Sequence, residues 1–169
     1  IIARQNQFFG AFVGVFVNEE ETVIRKIAAD LGLAAVQLHG DESPEFCEQL
    51  TPLRVIKAVH VVDEFDPRSV SSYSTSAVLL DSQAGASYGG TGRRFDWRIA
   101  IEAKKYAPII LAGGINADNV SEAVRTVVPL AVDVCSGVEA EPGRKDLRKL
   151  REFMSAFDHA NSLLSDHPT

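Results

Sequence analysis

The sequence predicts an α/β fold built around a parallel β-sheet. Short apolar runs alternate with segments of helical hydrophobic spacing six times along the 169 residues, a pattern typical of repeated βα units. The predicted strands are apolar on both faces, as expected when helices cover one side and a packed interior the other. Acids, histidines or glycines follow several strands, so the residues suited to chemistry gather at the edge where parallel strands end.

The elements follow one another in order along the chain. Strands are predicted at 12–17, 35–38, 55–62, 77–80, 109–112 and 131–134. Helices are predicted at 20–31, 43–50, 67–73, 97–106, 116–127 and 146–160. Ser43, Asp96 and Asn116 are expected to cap their helices, and Gly32 is expected to end the first one.

The length fits a single domain, which we expect to span 1–160 and to be followed by a polar tail at 161–169. Eight βα units would form a barrel of about 200–250 residues, so this chain has about two units fewer. The sequence therefore predicts an α/β barrel of which six units are present. The buried face of the last helix is expected to consist of four residues at helical spacing: Leu147, Leu150, Met154 and Phe157.

Composition narrows the classes of partner. The net charge is −6, with 17 basic and 23 acidic residues, which argues against nucleic acid as the main partner. No apolar run approaches the roughly 20 residues of a membrane-spanning helix. The only cysteines, Cys47 and Cys135, have neither metal-ligand spacing nor a disulfide framework, and the histidines form no metal motif. We therefore expect a cytoplasmic protein without a metal.

The stretch from Ala77 to Trp97 carries the strongest signal for chemistry. An apolar strand runs into Asp81, and a glycine-rich loop containing Gly90 and Gly92 follows. Glycine lets a backbone approach a ligand closely, and an acid at a strand end is placed for proton transfer. The alternative interpretation is that Asp81 only caps its loop.

Two further strands end in small residues. Gly113 and Gly114 follow the fifth strand, and Ser136 and Gly137 follow the sixth. Backbone N–H groups of such loops bind phosphate in barrels, which would admit an anionic substrate despite the negative net charge. The alternative is that these glycines only let the chain turn sharply.

Seven segments in sequence order resemble the phosphoribosylanthranilate isomerase family of tryptophan biosynthesis. They cover nearly the whole chain from Val13 to Phe157: VGVFVN (13–18), VQLHGDE (36–42), VIKAV (55–59), LLDS (79–82), YGGTGRRFDW (88–97), LAGGINADNV (111–120) and VDVCSGVEAEPGRKD (132–146). The resemblance implies a (βα)8 TIM barrel of which this chain supplies strands three to eight. It implies an Amadori rearrangement of N-(5-phosphoribosyl)anthranilate, a small phosphoribosyl substrate, without cofactor.

The resemblance also assigns roles to residues. Asp81 would be the general acid that protonates the furanose ring oxygen. The general base would be a cysteine in a Lys-Ile-Cys-Gly stretch, which this sequence does not contain. The resemblance therefore implies an N-terminally truncated enzyme. His39 would lie at the rim of the active site, and Asp133 would lie near the anthranilate end of the substrate. Asp133 also falls within a predicted apolar strand, where a charge needs a partner, so we expect it to have one.

Cys135 stands where the family usually has serine. A thiolate there could replace the missing base, but a small buried thiol is the simpler interpretation. Cys47 is interpreted as a packing residue. Glu139, Arg144 and Lys145 are interpreted as a solvated loop.

Two other functions remain open at this stage. The chain could be an inactive barrel fragment that acts as a phosphate-binding module. It could also form a homo-oligomer, or be half of a split enzyme completed in trans by an N-terminal segment. Absent strands would leave sheet edges unpaired, and such edges pair with other chains. It could also be another phosphate-sugar barrel of tryptophan or thiamine biosynthesis, against which the YGGTGRRFDW block argues.

Overall fold

The six predicted strands form one parallel sheet in sequential order. The structure is a computed structural model that describes residues 10–82 and 95–165. The sheet runs β1 to β6, each strand hydrogen-bonded to the next. The strands are β1 Val13–Phe16, β2 Ala35–Leu38, β3 Val55–Val61, β4 Ala77–Ser82, β5 Ile109–Leu111 and β6 Ala131–Val132.

Helices connect successive strands, as the alternating pattern predicts. The α-helices are α1 Glu21–Leu31, α2 Pro44–Gln49, α3 Trp97–Ala103, α4 Val120–Val127 and α5 Leu147–Ser165. A 3₁₀ helix at Pro67–Ser72 takes the place of the predicted third helix. A short antiparallel hairpin, β7 Glu139–Glu141 with β8 Arg144–Lys145, precedes α5. No helix in the described ranges has the length and apolar character needed to cross a bilayer.

Three of the four predicted helix caps are confirmed. The Ser43 hydroxyl accepts a hydrogen bond from the Phe46 N–H, and Asp96 accepts one from the Arg98 N–H. Gly32 ends α1 in the left-handed conformation, at φ 63°.

The predicted cap at Asn116 is wrong, because the Asn116 side chain is used elsewhere. Its carboxamide oxygen accepts from the Asp118 N–H and closes a turn, and α4 begins only at Val120. Local side-chain hydrogen bonds of this kind compete with helix formation.

The last helix buries a different face from the predicted one. Leu147 and Met154 are 67% and 45% exposed, whereas Phe153 and Ala160 are buried, and Phe157 is partly buried against the same cluster. The helix also continues to Ser165, past its predicted end at Ala160. Two apolar stripes run along α5, and its packing on α4 selects the one that contains Phe153.

The central strand β4 anchors the core. All six of its residues are buried, and the largest cluster of buried side chains packs between this part of the sheet and helices α3, α4 and α5. A second cluster around β2, α1 and α2 includes Cys47, whose pKa burial raises to about 11. The interpretation of Cys47 as a packing residue is thus supported.

A buried ion pair fixes the loop that follows β2. The Lys57 ammonium on β3 donates to Glu42 Oε2 at 2.9 Å and to the Gly40 carbonyl at 2.6 Å, and both charged side chains are almost fully buried. Glu42 also accepts from the backbone N–H groups of Asn18 and Gly40. Burial alone would raise the pKa of Glu42, but the hydrogen bonds from Lys57 and the Asn18 N–H outweigh it and hold that pKa below its usual value.

Replacing Lys57 with Met should destabilise the protein by about 3–5 kcal/mol, because the Glu42 carboxylate would stay buried without its cation. Urea unfolding measures the change. The double substitution Lys57→Met with Glu42→Gln should recover part of the loss, since it removes the uncompensated charge. Lys105→Met, which breaks the exposed pair with Glu102, is the matched control and should have little effect. A Lys57→Met variant as stable as this control would contradict the account.

Candidate functional site

The carboxyl ends of β2, β3 and β4 bring three side chains together. Asp81 lies next to last in β4 and is 6% exposed. His60 on β3 is its partner in the parallel register. His39 directly follows β2, and the Lys57–Glu42 pair holds the loop that it begins. The structure therefore groups two of the predicted site residues, Asp81 and His39, with one that the sequence did not single out.

The contact between His39 and Asp81 is close and shielded from water. His39 Nε2 lies 3.5 Å from Asp81 Oδ2, and their side chains are 15% and 8% exposed. The other ring nitrogen, Nδ1, lies 3.1 Å from the Gln37 carboxamide, which orients the ring. The His39 and His60 ring centroids are 5.5 Å apart. An acid in such a setting has a fixed orientation and a neighbour able to share its proton.

His60 is held toward its neutral form. Burial lowers its pKa, and the nearby His39 lowers it further, against the opposing effect of the Asp81 charge. A neutral imidazole beside a carboxylate can donate or accept a hydrogen bond without the cost of burying a second charge.

Asp133 lies just past the end of β6 and is solvent-exposed, although protein atoms surround it closely enough to raise its pKa by desolvation. The negative charge of Asp81 raises that pKa further. The expectation that Asp133 lies within a strand is wrong, because β6 ends at Val132. Its carboxylate makes no hydrogen bond or salt bridge within 10–82 and 95–165. His39 and Lys145 lower its pKa and so oppose the effects of desolvation and of Asp81.

The two predicted glycine loops lie against each other. Gly113 and Gly114 have φ of 78° and 69°, a left-handed conformation that favours glycine. A Cβ on Gly137 would lie 2.1 Å from the Ile115 carbonyl oxygen, so a side chain there would separate the two loops. These glycines are needed for the close approach, beyond merely turning the chain.

Two backbone donors of these loops have no acceptor within the part of the chain that the structure describes. Among the described residues, the N–H groups of Gly114 and Gly137 donate to no protein acceptor. Ser136 and Gly137 open a one-turn 3₁₀ helix after β6. Adjacent unpaired N–H groups form the kind of concavity that binds an anion.

Cys135 is exposed, so its interpretation as a small buried thiol is wrong. It follows β6 by three residues and lies at the surface beside the β7–β8 hairpin. Lys145 Nζ donates to the Cys135 carbonyl at 2.9 Å and to Glu139 Oε1 at 2.9 Å, and lies 3.6 Å from the thiol. The hydrogen bond from Lys145 to the Glu139 carboxylate holds the pKa of Glu139 below its usual value. Glu139 and Lys145 are thus paired in a hairpin, whereas a solvated loop was predicted.

Two predicted site residues are not described by the structure, and three residues at the site were not predicted from the sequence. Gly90 and Gly92 lie outside the described ranges. His60, Lys57 and Ser82 were not predicted as site residues. Each is a polar residue in or at the end of an apolar strand, which is the signal that could have identified them. The Ser82 hydroxyl is buried without a hydrogen-bond partner in the described structure, at the point where Gly113 approaches β4.

The comparison with known protein families is consistent with this geometry. The family model for N-(5'phosphoribosyl)anthranilate (PRA) isomerase matches residues 2–156. The N-(5'-phosphoribosyl)anthranilate isomerase of Pelobacter propionicus is 50% identical over 153 residues, which are 90% of this chain and 73% of that protein.

Solved structures give the same result. Phosphoribosyl anthranilate isomerase from Thermotoga maritima matches with a TM-score of 0.84 at 40% identity, over 94% of this chain and 78% of that one. A structure of phosphoribosyl anthranilate isomerase in complex with reduced 1-(o-carboxyphenylamino)-1-deoxyribulose 5-phosphate matches with a TM-score of 0.80 at 38% identity, over 94% and 76%. The chain therefore belongs to the phosphoribosylanthranilate isomerase family, the isomerases of tryptophan biosynthesis.

Proposed function

We propose that Asp81 is the general acid of N-(5-phosphoribosyl)anthranilate isomerisation, and that the two glycine loops hold the substrate phosphate. The observation that carries the proposal is the position of Asp81: a nearly buried carboxyl at the carboxyl end of the central strand, 3.5 Å from His39. Asp81 protonates the furanose ring oxygen, the C1–O bond breaks, and the sugar opens to a Schiff base with the anthranilate nitrogen. Removal of the C2 proton by the base then leads to the aminoketose.

His39 supports this step through its contact with Asp81. Its Nε2 faces the carboxylate and can donate a proton toward Oδ2, which orients the acid and stabilises its charged form after proton transfer. Gln37 fixes the ring that does so. His39 thus acts as a positioning residue at the rim of the site.

The phosphate site is proposed for the adjoining loops after β5 and β6. The N–H groups of Gly113, Gly114, Ser136 and Gly137 supply donors in a region where the described protein offers them no acceptor. Binding by backbone N–H groups needs no net positive charge, which fits an acidic chain. Gly90 and Gly92, which lie outside the described residues, are proposed to contact the substrate.

Asp133 and Cys135 are assigned to the part of the site that directly follows β6. Asp133 follows β6, and its charge acts on Asp81, so it is placed to contact the anthranilate end of the substrate. Cys135 lies on the surface with its carbonyl bonded to Lys145. We assign it to the wall of the phosphate loop and not to proton abstraction.

We infer that the complete enzyme is a (βα)8 barrel in the cytoplasm, in which two more βα units close the sheet. The edge strands β1 and β6 each have one neighbour among the described strands. In β1, Val13 and Val15 are 43% and 60% exposed, and in α5, the helix that follows β6 in the chain, Leu147 and Met154 are exposed too. Such edges pair readily with further strands. The same units would bring the general base, whether within the same polypeptide or in trans.

Replacing Asp81 with Asn should lower turnover by about 10²–10⁴-fold, because the amide cannot deliver the proton. Loss of anthranilate fluorescence of the substrate measures the rate, on the chain closed by the two proposed βα units. Affinity for the reduced product analogue should stay close to that of the unsubstituted protein, since the carboxyl acts mainly in the transition state. The control is Asp158→Asn on the exposed side of α5, which should leave the rate unchanged. Near-full turnover by Asp81→Asn would refute its assignment as the acid.

The proposal that two further βα units close the sheet can be tested by mixing two polypeptides. One is this chain, and the other is the part of the Pelobacter propionicus isomerase that this chain does not match. The two should co-elute on size exclusion and together turn over substrate. Met154→Glu should prevent this by placing a charge on the uncovered face of α5, whereas Ile101→Glu on α3 should not. Both positions are exposed to a similar degree, at 45% and 39%. Turnover by the chain alone would place the base within it, with Cys135 the first candidate. If the added polypeptide neither bound nor restored activity, the chain would be a fragment without this function.

A further inference from the structure

We propose that His39, His60 and Asp81 form a binding site for a divalent transition-metal ion such as Zn²⁺, and that the bound ion reversibly inhibits the isomerase. The three residues offer one ligand atom each, and these atoms all lie within 4.8 Å of one another. They come from the ends of three adjacent parallel strands, so the sheet itself sets their spacing. No metal was expected from the sequence because these residues form no local metal-binding motif.

The donor set fits a transition metal better than calcium or magnesium. Two imidazole nitrogens and one carboxylate oxygen suit Zn²⁺, Ni²⁺ or Co²⁺, whereas hard cations take oxygen ligands almost exclusively. In a tetrahedral zinc site with metal–ligand bonds of about 2.0–2.2 Å, neighbouring ligand atoms are about 3.3 Å apart. The His39 Nε2–Asp81 Oδ2 distance of 3.5 Å is close to this value. Small rotations of the side chains would bring the His60 ring nitrogen to the same distance from the other two ligand atoms. The three residues would then occupy three positions of a tetrahedral site, and water would occupy the fourth.

The surroundings of His39 also suit a metal ligand. Its Nε2 is buried and makes no hydrogen bond in the described protein. Metal-binding histidines usually donate their other ring N–H to an oxygen, which fixes the ring. Gln37 lies 3.1 Å from Nδ1, and a turn of its carboxamide presents the oxygen to a proton on that nitrogen. His39 Nε2 can therefore bind a metal in place of its contact with Asp81, while Nδ1 keeps a hydrogen bond with Gln37.

Two carboxylates act on each other near the three ligand atoms. Asp81 and Asp133 repel each other, and Lys145 offsets part of the charge of Asp133. The nearest buried ammonium, on Lys57, is already neutralised by Glu42. A divalent ion beside Asp81 would relieve the repulsion between the two carboxylates.

Inhibition, unlike binding, rests on the proposed function of Asp81. A carboxylate oxygen bound to a metal cannot hold the proton that the sugar ring oxygen needs. The ion would also occupy the space between Asp81 and the substrate. We therefore expect inhibition that is competitive with substrate and is reversed by a chelator.

The test titrates the metal-free chain with Co²⁺ and follows the visible d–d absorption of the ion. We expect one Co²⁺ per chain, displacement by Zn²⁺, and no thiolate-to-cobalt charge-transfer band. His60→Gln should weaken binding about 10- to 100-fold or more. His159→Gln, on the exposed side of α5, is the matched control and should bind as the unsubstituted chain does. Cys135→Ser should also leave binding unchanged.

Several results would overturn the inference. One is binding that survives His60→Gln, and another is binding that is lost with Cys135→Ser or His159→Gln. Absence of bound Co²⁺ at millimolar concentration would do the same. A separate assay measures Zn²⁺ inhibition of turnover on the completed barrel, where His60→Gln should raise the inhibitory concentration by the same factor as it weakens binding. Cobalt binding without inhibition would refute the inhibitory part. Full turnover by Asp81→Asn would refute the acid assignment while leaving the metal site intact, so the two failures can be told apart.

Discussion

The parallel register of β2, β3 and β4 is the constraint on which the site depends. Because β3 and β4 are paired with His60 opposite Asp81, and β2 ends beside them at His39, three polar side chains converge without any local sequence motif. A shift of one residue in this register would turn Asp81 to the other face of the sheet. The entirely buried β4 makes that shift costly, since its apolar residues pack on both faces.

The buried Lys57–Glu42 pair extends this constraint to the loop after β2. It anchors that loop to β3 through the Gly40 carbonyl, and it ties in the start of the loop after β1 through the Asn18 N–H. The pair also neutralises the lysine charge, which would otherwise compete for Asp81.

The sequence predicts the strands well and the long-range contacts poorly. The apolar runs mark all six strands, because burial on both faces leaves a strong local pattern. Asn116 was misplaced as a cap because its carboxamide closes a local turn, and periodicity does not reveal such competition. The wrong face of α5 was chosen because the helix carries two apolar stripes, and only its packing on α4 decides between them. His60 was missed because its role depends on Asp81, which is distant in sequence and adjacent only in the sheet.

The most direct test is a crystal structure of this chain, closed by the two proposed βα units, with the reduced product analogue bound. The account predicts phosphate oxygens within hydrogen-bond distance of the N–H groups of Gly114 and Gly137. It also predicts that the Asp81 carboxyl faces the sugar, with His39 still in contact with it. A phosphate held by lysine or arginine side chains away from these loops, or an Asp81 turned away from the sugar, would contradict it.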